Sequence, residues 1–197
     1  MTDALVLLSG GIDSAACLRF YLLQSFSVTS LFVEYGQVSA SKESRASKEI
    51  ADFYNVPFRK VVMKNTVKHE NGGYILGRNA FLLLTGLLNF QKSNGIIALG
   101  IHSGTNYPDC SHTFIDGIQA VFDEYTDGRI KIGTPFISFT KLEIWNFCHK
   151  EDIPVELTYS CELGKQQPCK ECNSCKDLKA LYEFKESNNR ASLWSGN

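Results

Sequence analysis

The sequence lacks an excess of charge of either sign. Its 20 Lys and Arg residues face 21 Asp and Glu, a formal net charge of −1, and no basic run stands out. That balance excludes a protein that grips nucleic acid by bulk charge. Long apolar runs are also missing. The longest, Ala4–Leu8 and Phe81–Leu84, fall far short of the ~18 residues needed to span a bilayer, so no membrane role is expected. No basic region followed by an apolar run opens the chain, so no secretion signal is expected. Internal repeats and low-complexity tracts are not found. What remains is ordinary globular material. Hydrophobic residues make up 44% and charged residues 21%, values that argue against disorder. A length of 197 residues suits one compact unit with a small appendage.

The seven cysteines are the outlier. Four of them, Cys161, Cys169, Cys172 and Cys175, crowd into one short window. A secreted disulfide framework would be shorter, even in number and more evenly spread. A reducing cytoplasm, with a metal holding the cluster, is the better expectation. Cys17 and Cys148 read as small buried apolar residues.

Along the chain, short apolar strands alternate with helical patterns. Ala4–Leu8 is a continuous apolar run closed by Ser9-Gly10-Gly11, as a buried parallel strand would be. A helix follows from Ser14 to Gln24. Val28–Glu34 predicts a strand, Ser39–Tyr54 a helix and Phe58–Met63 a strand. Lys64–Gly77 predicts a polar loop. Asn79–Gln91 predicts an apolar helix, Gly95–Gly100 a strand and His112–Tyr125 an amphipathic helix. Thr140–Lys150 predicts a helix, with Thr140 as N-cap and Glu143 at capping-box spacing. This alternation implies an α/β fold, a doubly wound parallel sheet covered on both faces. Ligands bind such sheets beyond the carboxyl ends of the strands. Ser9–Ser14, Tyr35–Gln37 and His102–Cys110 then share one rim. Residues 1–155 would form this domain. From Pro154 onward branched apolar residues thin out, and residues 156–190 form a tail that its own core cannot hold.

Ser9-Gly10-Gly11-Ile12-Asp13-Ser14, between a strand and a helix, has the makings of an anion site. The glycines let the backbone curl so that successive N–H groups converge. The helix start adds unpaired N–H groups and partial positive charge. Ser9 and Ser14 can donate hydroxyls. Asp13 would repel a phosphate, and makes sense where Mg²⁺ lies between carboxylate and phosphate. The Gly-Lys-Ser/Thr ending of a Walker loop is missing. A plain strand-to-helix turn capped by Ser14 is the alternative.

Cys161-x7-Cys169-x2-Cys172-x2-Cys175 offers four thiolates on a loop, a set that suits structural zinc with no open coordination position. Structural zinc stabilises a peptide fold by roughly 10–16 kcal/mol, enough to order such a tail. An iron–sulfur cluster is the rival, and colour would separate the two.

The Ser-Gly-Gly-x-Asp-Ser loop resembles the pyrophosphate-binding loop of N-type ATP pyrophosphatases. Those enzymes adenylate a carbonyl or carboxylate oxygen, release pyrophosphate and let a nucleophile displace AMP. The loop and the terminal cysteines together resemble the 7-cyano-7-deazaguanine synthase family, over Ala4 to about Phe184. Further matching pieces are Tyr35-Gly36-Gln37, Arg78-Asn79, Tyr107-Pro108-Asp109-Cys110, Thr140-Lys141-x-Glu143-Ile144 and Leu157-Thr158-Tyr159-Ser160-Cys161. The resemblance implies an adenine-nucleotide alpha hydrolase-like fold. It implies conversion of 7-carboxy-7-deazaguanine to the nitrile with ATP, Mg²⁺ and ammonia, through the amide, in a homodimer with structural zinc. ATP would be held by Leu8, Ser9, Gly10, Gly11, Ile12, Asp13, Ser14, Tyr35, Gly36 and Gln37. Asp13, Arg78 and Lys141 would be catalytic, the two cations pairing with phosphate or carboxylate. Arg78, Asn79, Tyr107, Asp109 and Cys110 would bind the deazaguanine acid, Asp109 accepting from its guanine-like edge. His102 and His112 are candidate general bases, although a loop histidine is more often a surface polar residue.

The chain departs from the family pattern around the acceptor. Leu76-Gly77 replaces Pro-Ala before Arg78, Gly104-Thr105-Asn106 replaces Asp-Tyr-Ser-Gly before Tyr107, the Lys64–Gly77 loop is trimmed, and Glu162 replaces a Tyr. Two alternatives follow. One is a relative from an antiphage system that hands the deazaguanine acid to a partner protein's N-terminus. The other is a nucleotide-binding sensor without chemistry. Thiolation of tRNA is disfavoured by the absence of a basic face.

Overall fold

The computed structural model describes residues 1–64, 74–104 and 107–194, with side chains through Phe184. Its elements run β1 (Asp3–Leu7), α1 (Ile12–Leu23), β2 (Ser27–Glu34), α2 (Ala40–Phe53), β3 (Phe58–Val62), α3 (Arg78–Asn89), β4 (Gly95–Leu99), α4 (His112–Thr126), β5 (Ile130–Gly133), α5 (Lys141–Lys150) and α6 (Asn173–Trp194). The described strands form one parallel sheet in the order β3-β2-β1-β4-β5. The expected doubly wound α/β fold is therefore present.

β1 shows why the opening run is apolar throughout. Ala4, Val6 and Leu8 pack on one face with α1, α2 and α5, while Leu5 and Leu7 pack on the other with α3 and α4. Successive strand side chains alternate between faces, so a strand covered on both sides needs no polar position. α1 is likewise buried nearly all round, through Ile12, Ala15, Ala16, Cys17, Leu18 and Tyr21. Thr140 caps α5 as expected. Its hydroxyl accepts from the Glu143 N–H while Glu143 accepts from the Thr140 N–H, closing the capping box.

Two elements were not expected. β5 is a four-residue edge strand, too short to show a period, and Gln119 Oε1 accepts from its Ile132 N–H. α6 arises within the expected tail. Leu181 is buried against the core, Leu178 packs there too, and Tyr182 meets Trp145 edge-on at 5.0 Å. Lys179 between these apolar positions, with Lys176 and Asp177 just before them, hides the pattern in the sequence. Most of the expected Lys64–Gly77 loop, together with Thr105 and Asn106, lies outside the described residues.

The chain order reverses direction between β1 and β4, which lie side by side. The segments leaving these two strands diverge, and a crevice opens at their carboxyl ends. No helix among the described residues is long and apolar enough to cross a membrane.

Candidate active site

A cavity of about 280 Å³ occupies that crevice. Its floor is the turn after β1. Gly10 has φ +83°, and a Cβ there would lie 2.7 Å from the Glu43 carbonyl, so only glycine lets the turn nestle against α2. The loop is braced from within and from outside. Ser14 Oγ accepts from Ser9 N–H at 3.2 Å and donates to Gly11 O at 2.9 Å. Tyr159 N–H donates to Gly10 O at 2.8 Å, and Ser47 Oγ donates to Leu8 O at 2.8 Å. No side chain caps the start of α1 at Gly11, so the helix presents its amino end to the cavity. Backbone N–H groups and the helix dipole there favour an anion.

Asp13 and Lys141, 128 positions apart, meet over this loop. The Lys141 ammonium donates to both Asp13 oxygens, at 2.6 and 2.7 Å. Lys141 is the first residue of α5, so the capped helix start aims it inward. His102, three residues beyond the Leu99 that ends β4, brings Nε2 to 3.8 Å from Asp13 Oδ2. Burial holds its pKa below the usual histidine range, against the pull of Asp13, so the ring is neutral at neutral pH. The far wall carries Arg78, at the first position of α3. Its positive charge bears on the hydroxyls of Tyr35 and Tyr107, although burial raises both of their pKa values.

Of the residues expected at the site, Leu8, Ser9, Gly11, Ile12, Asp13, Ser14, Tyr35, Gln37, Arg78, Asn79, Tyr107, Cys110 and Lys141 line the cavity. Three do not. Gly10 is turned into α2. Gly36 forms a left-handed turn at φ +95°, where Gln37 accepts from Tyr35 N–H and donates to Glu43. Asp109 is buried at 5% exposure and accepts from the Asn79 N–H with Oδ2, tying down the start of α3. Asn79 Nδ2 donates in turn to Asp109 O at 3.0 Å. Of the two histidines considered, His102 lines the cavity, and His112 pairs with Ser138 on the exposed surface.

Sequence reasoning assigned no role to the wall built by the C-terminal segment. Tyr159, Ser160, Glu162, Ser174, Asp177 and Leu178 all face the cavity, as does Glu43 of α2. Glu162 Oε1 accepts from both the N–H and the hydroxyl of Ser174, which fixes the first turn of α6. The signal was present at Glu162, which stands out as a departure, but nothing local says that it faces the cavity.

The same segment gathers the cysteines. The sulfurs of Cys161, Cys169, Cys172 and Cys175 lie within 4.8 Å of one another. Cys169 and Cys175 are 3.8 Å apart, which matches the roughly 3.8 Å edge of a sulfur tetrahedron built on ~2.3 Å metal–sulfur bonds. One metal ion fits these residues. Backbone N–H groups of Cys172 and Glu171 bring the Cys169 thiol down to about 6, whereas burial pushes Cys175 up to about 12. Gly164, at φ +63°, seats the loop against Val38, where a Cβ would lie 2.6 Å from the Val38 carbonyl.

The family model described as queuosine biosynthesis protein QueC matches residues 3–71 and 62–185. A 7-cyano-7-deazaguanine synthase of Acetivibrio thermocellus is 30% identical, with 95% of each chain covered. A namesake from Campylobacter jejuni is 28% identical over 87% of this chain and 89% of its own. Among solved structures, a 4-thiouridine synthetase in complex with RNA and bound ATP has a TM-score of 0.55 at 16% identity, covering 92% of this chain and 50% of that one. That likeness concerns the fold. The family match takes in both the loop after β1 and all four terminal cysteines, and by it this chain belongs to the QueC family.

Proposed function

We propose that the chain uses ATP to adenylate 7-carboxy-7-deazaguanine and passes the activated acid to ammonia, giving the amide and then 7-cyano-7-deazaguanine. The observation that carries this is the meeting of the Ser9–Ser14 loop with Lys141 and Arg78 around one cavity. The named activity of the relatives supports it.

A carboxylate resists nucleophiles because of its charge. Attack by one of its oxygens on the α-phosphorus of ATP neutralises that charge and expels pyrophosphate. Ammonia then adds to the acyl carbon, loses a proton and displaces AMP. Converting the amide to the nitrile removes one further oxygen, and a second activation by ATP provides its leaving group. Two anions must be brought together, so the site needs cations and oriented donors more than it needs a nucleophile of its own. The backbone N–H groups of the loop and the start of α1 would hold the pyrophosphate. Lys141 sits where charge develops between loop and acid, and Arg78 offers a planar fork to a carboxylate or phosphate. Asp13 is the carboxylate suited to Mg²⁺, which would supply charge neutralisation to the phosphates. Cys161, Cys169, Cys172 and Cys175 would hold zinc, whose chemistry there is structural. Tyr107, Asn79 and Cys110 would flank the acid, in a homodimer in the cytoplasm.

The experiment is mass spectrometry on the protein with ATP, Mg²⁺ and 7-carboxy-7-deazaguanine. With ammonium, the expected products are AMP, pyrophosphate, the amide and the nitrile. Failure to release pyrophosphate in the presence of the acid refutes the proposal. A stable adduct on a co-expressed protein, with no small-molecule amide, replaces ammonia by a macromolecular amine.

A further inference from the structure

We infer that His102 is the positioning residue for Asp13, keeping that carboxylate aimed into the cavity through its Nε2–H when Lys141 turns to the ligand. The inference rests on the ATP reading above and adds a residue to it.

The ring is held at Nδ1, and Nε2 is left facing Asp13. Gly104 N–H donates to His102 Nδ1 at 3.2 Å, so the proton of the neutral imidazole resides on Nε2. A Cβ on Gly104 would lie 2.8 Å from that Nδ1, so glycine is what lets the turn close on the ring. Nε2 faces Asp13 Oδ2 at 3.8 Å. The residue is 7% exposed, with its side chain at the cavity wall. The backbone beneath it is as constrained: a Cβ on Gly100 would fall 2.4 Å from the Asp13 carbonyl, so the chain entering His102 presses on Asp13 itself. Asp177 of α6 and Lys141 are the other charges bearing on the ring.

Lys141 takes both Asp13 oxygens, and it also lines the cavity that in the ATP reading holds the phosphates. A lysine that moves to the phosphate gives up the carboxylate. A neutral N–H donor then orients Asp13 without adding a charge that competes with a divalent cation. A small closure from 3.8 Å makes this a full hydrogen bond. His102 thus acts through Asp13, and its Nε2 cannot serve as a base while Nδ1 holds the Gly104 N–H.

Calorimetric titration with Mg·ATP tests this on the wild type and three variants. Glutamine can place a donor near Nε2, asparagine can only replace Nδ1, and leucine replaces neither. His102→Leu and His102→Asn are expected to weaken Mg·ATP binding by about tenfold, the worth of one hydrogen bond to a charged group, and His102→Gln by less than about threefold. Nitrogen NMR of the wild type is expected to show an unprotonated Nδ1 and a protonated Nε2, a result that does not depend on how the variants fold. Equal affinity across the series, glutamine falling as far as leucine, or a protonated Nδ1 would each overturn the assignment. Acid turnover is followed separately. Turnover lost with the expected affinities overturns the reaction and leaves His102 in place; flat affinities with turnover intact overturn His102 alone. A wild type that binds no Mg·ATP overturns both.

Discussion

Gly100→Ala tests the contact on which the site is built. Gly100 directly follows β4, and its missing Cβ lets the chain leaving that strand touch the first turn of α1. An added Cβ would lie 2.4 Å from Asp13 O, 2.6 Å from Asp13 C and 2.8 Å from Ser14 N. All three are backbone atoms, so no side chain can rotate away. Ordinary contact begins near 3.4 Å, so β4 and α1 must separate by about 1 Å. Overpacking of this kind costs about 1–3 kcal/mol, and the rigid neighbours place Gly100 at the upper end. At roughly 2–4 °C per kcal/mol for a chain of this size, Tm should fall by about 4–10 °C. Function should suffer more than stability. A 1 Å displacement of reacting groups costs on the order of 100-fold in rate, so Mg·ATP-dependent pyrophosphate release should drop by about that factor. Gly117→Ala is the control. It lies mid-α4 with nothing within 4 Å of its Cβ, and the alanine should raise stability by up to about 1 kcal/mol. Differential scanning calorimetry and a pyrophosphate assay read both variants. If Gly100→Ala melts with the wild type and turns over normally, the close approach of β4 to α1 is not what positions the loop.

Lys141→Met should separate binding from chemistry. It removes a bidentate cation that is about a quarter exposed, worth roughly 1–2 kcal/mol, so Mn²⁺ alone should bind Asp13 about tenfold tighter by electron paramagnetic resonance. Pyrophosphate release should fall at least tenfold in the same variant, and unchanged Mn²⁺ affinity would show that the ion pair is not what Asp13 relinquishes. In the metal-loaded protein at pH 8, a thiol reagent should find no rapidly reacting cysteine; a chelator should expose the four of the cluster. Cys148, pushed up to about 12 by burial, stays protonated at that pH and should remain silent in both states. Leu181→Ala should cost about 2–4 kcal/mol by chemical denaturation with metal present, because α6 is anchored in the main core as well as by the cysteines. A cost below about 1 kcal/mol would mean that the cysteine cluster alone secures the segment.

What could be read without coordinates was local. The apolar run at β1 announces a strand buried on both faces, because side-chain alternation leaves it no polar position. Two glycines and Asp13 after that strand mark a turn that exposes N–H groups. Thr140 and Glu143 mark a helix start, and the spacing from Cys161 to Cys175 marks a shared ligand set. β5 and α6 escaped because each carries few apolar residues and borrows its burial from elsewhere: Ile130 from the far side of β4, Leu181 from the face beneath α5.

Everything at the site that spans distant segments needed the tertiary structure. Strand order places β4 beside β1, and only that adjacency brings His102 to Asp13. Lys141 reaches Asp13 across 128 positions because α5 packs on α1. The cysteine-bearing segment forms a cavity wall because Tyr159 bonds to Gly10 and α6 docks on the core. Patterns of adjacent residues are set by backbone periodicity and turn chemistry, so they leave a trace in the sequence. Contacts between remote segments depend on which buried faces meet, and an apolar residue does not specify which partner will cover it.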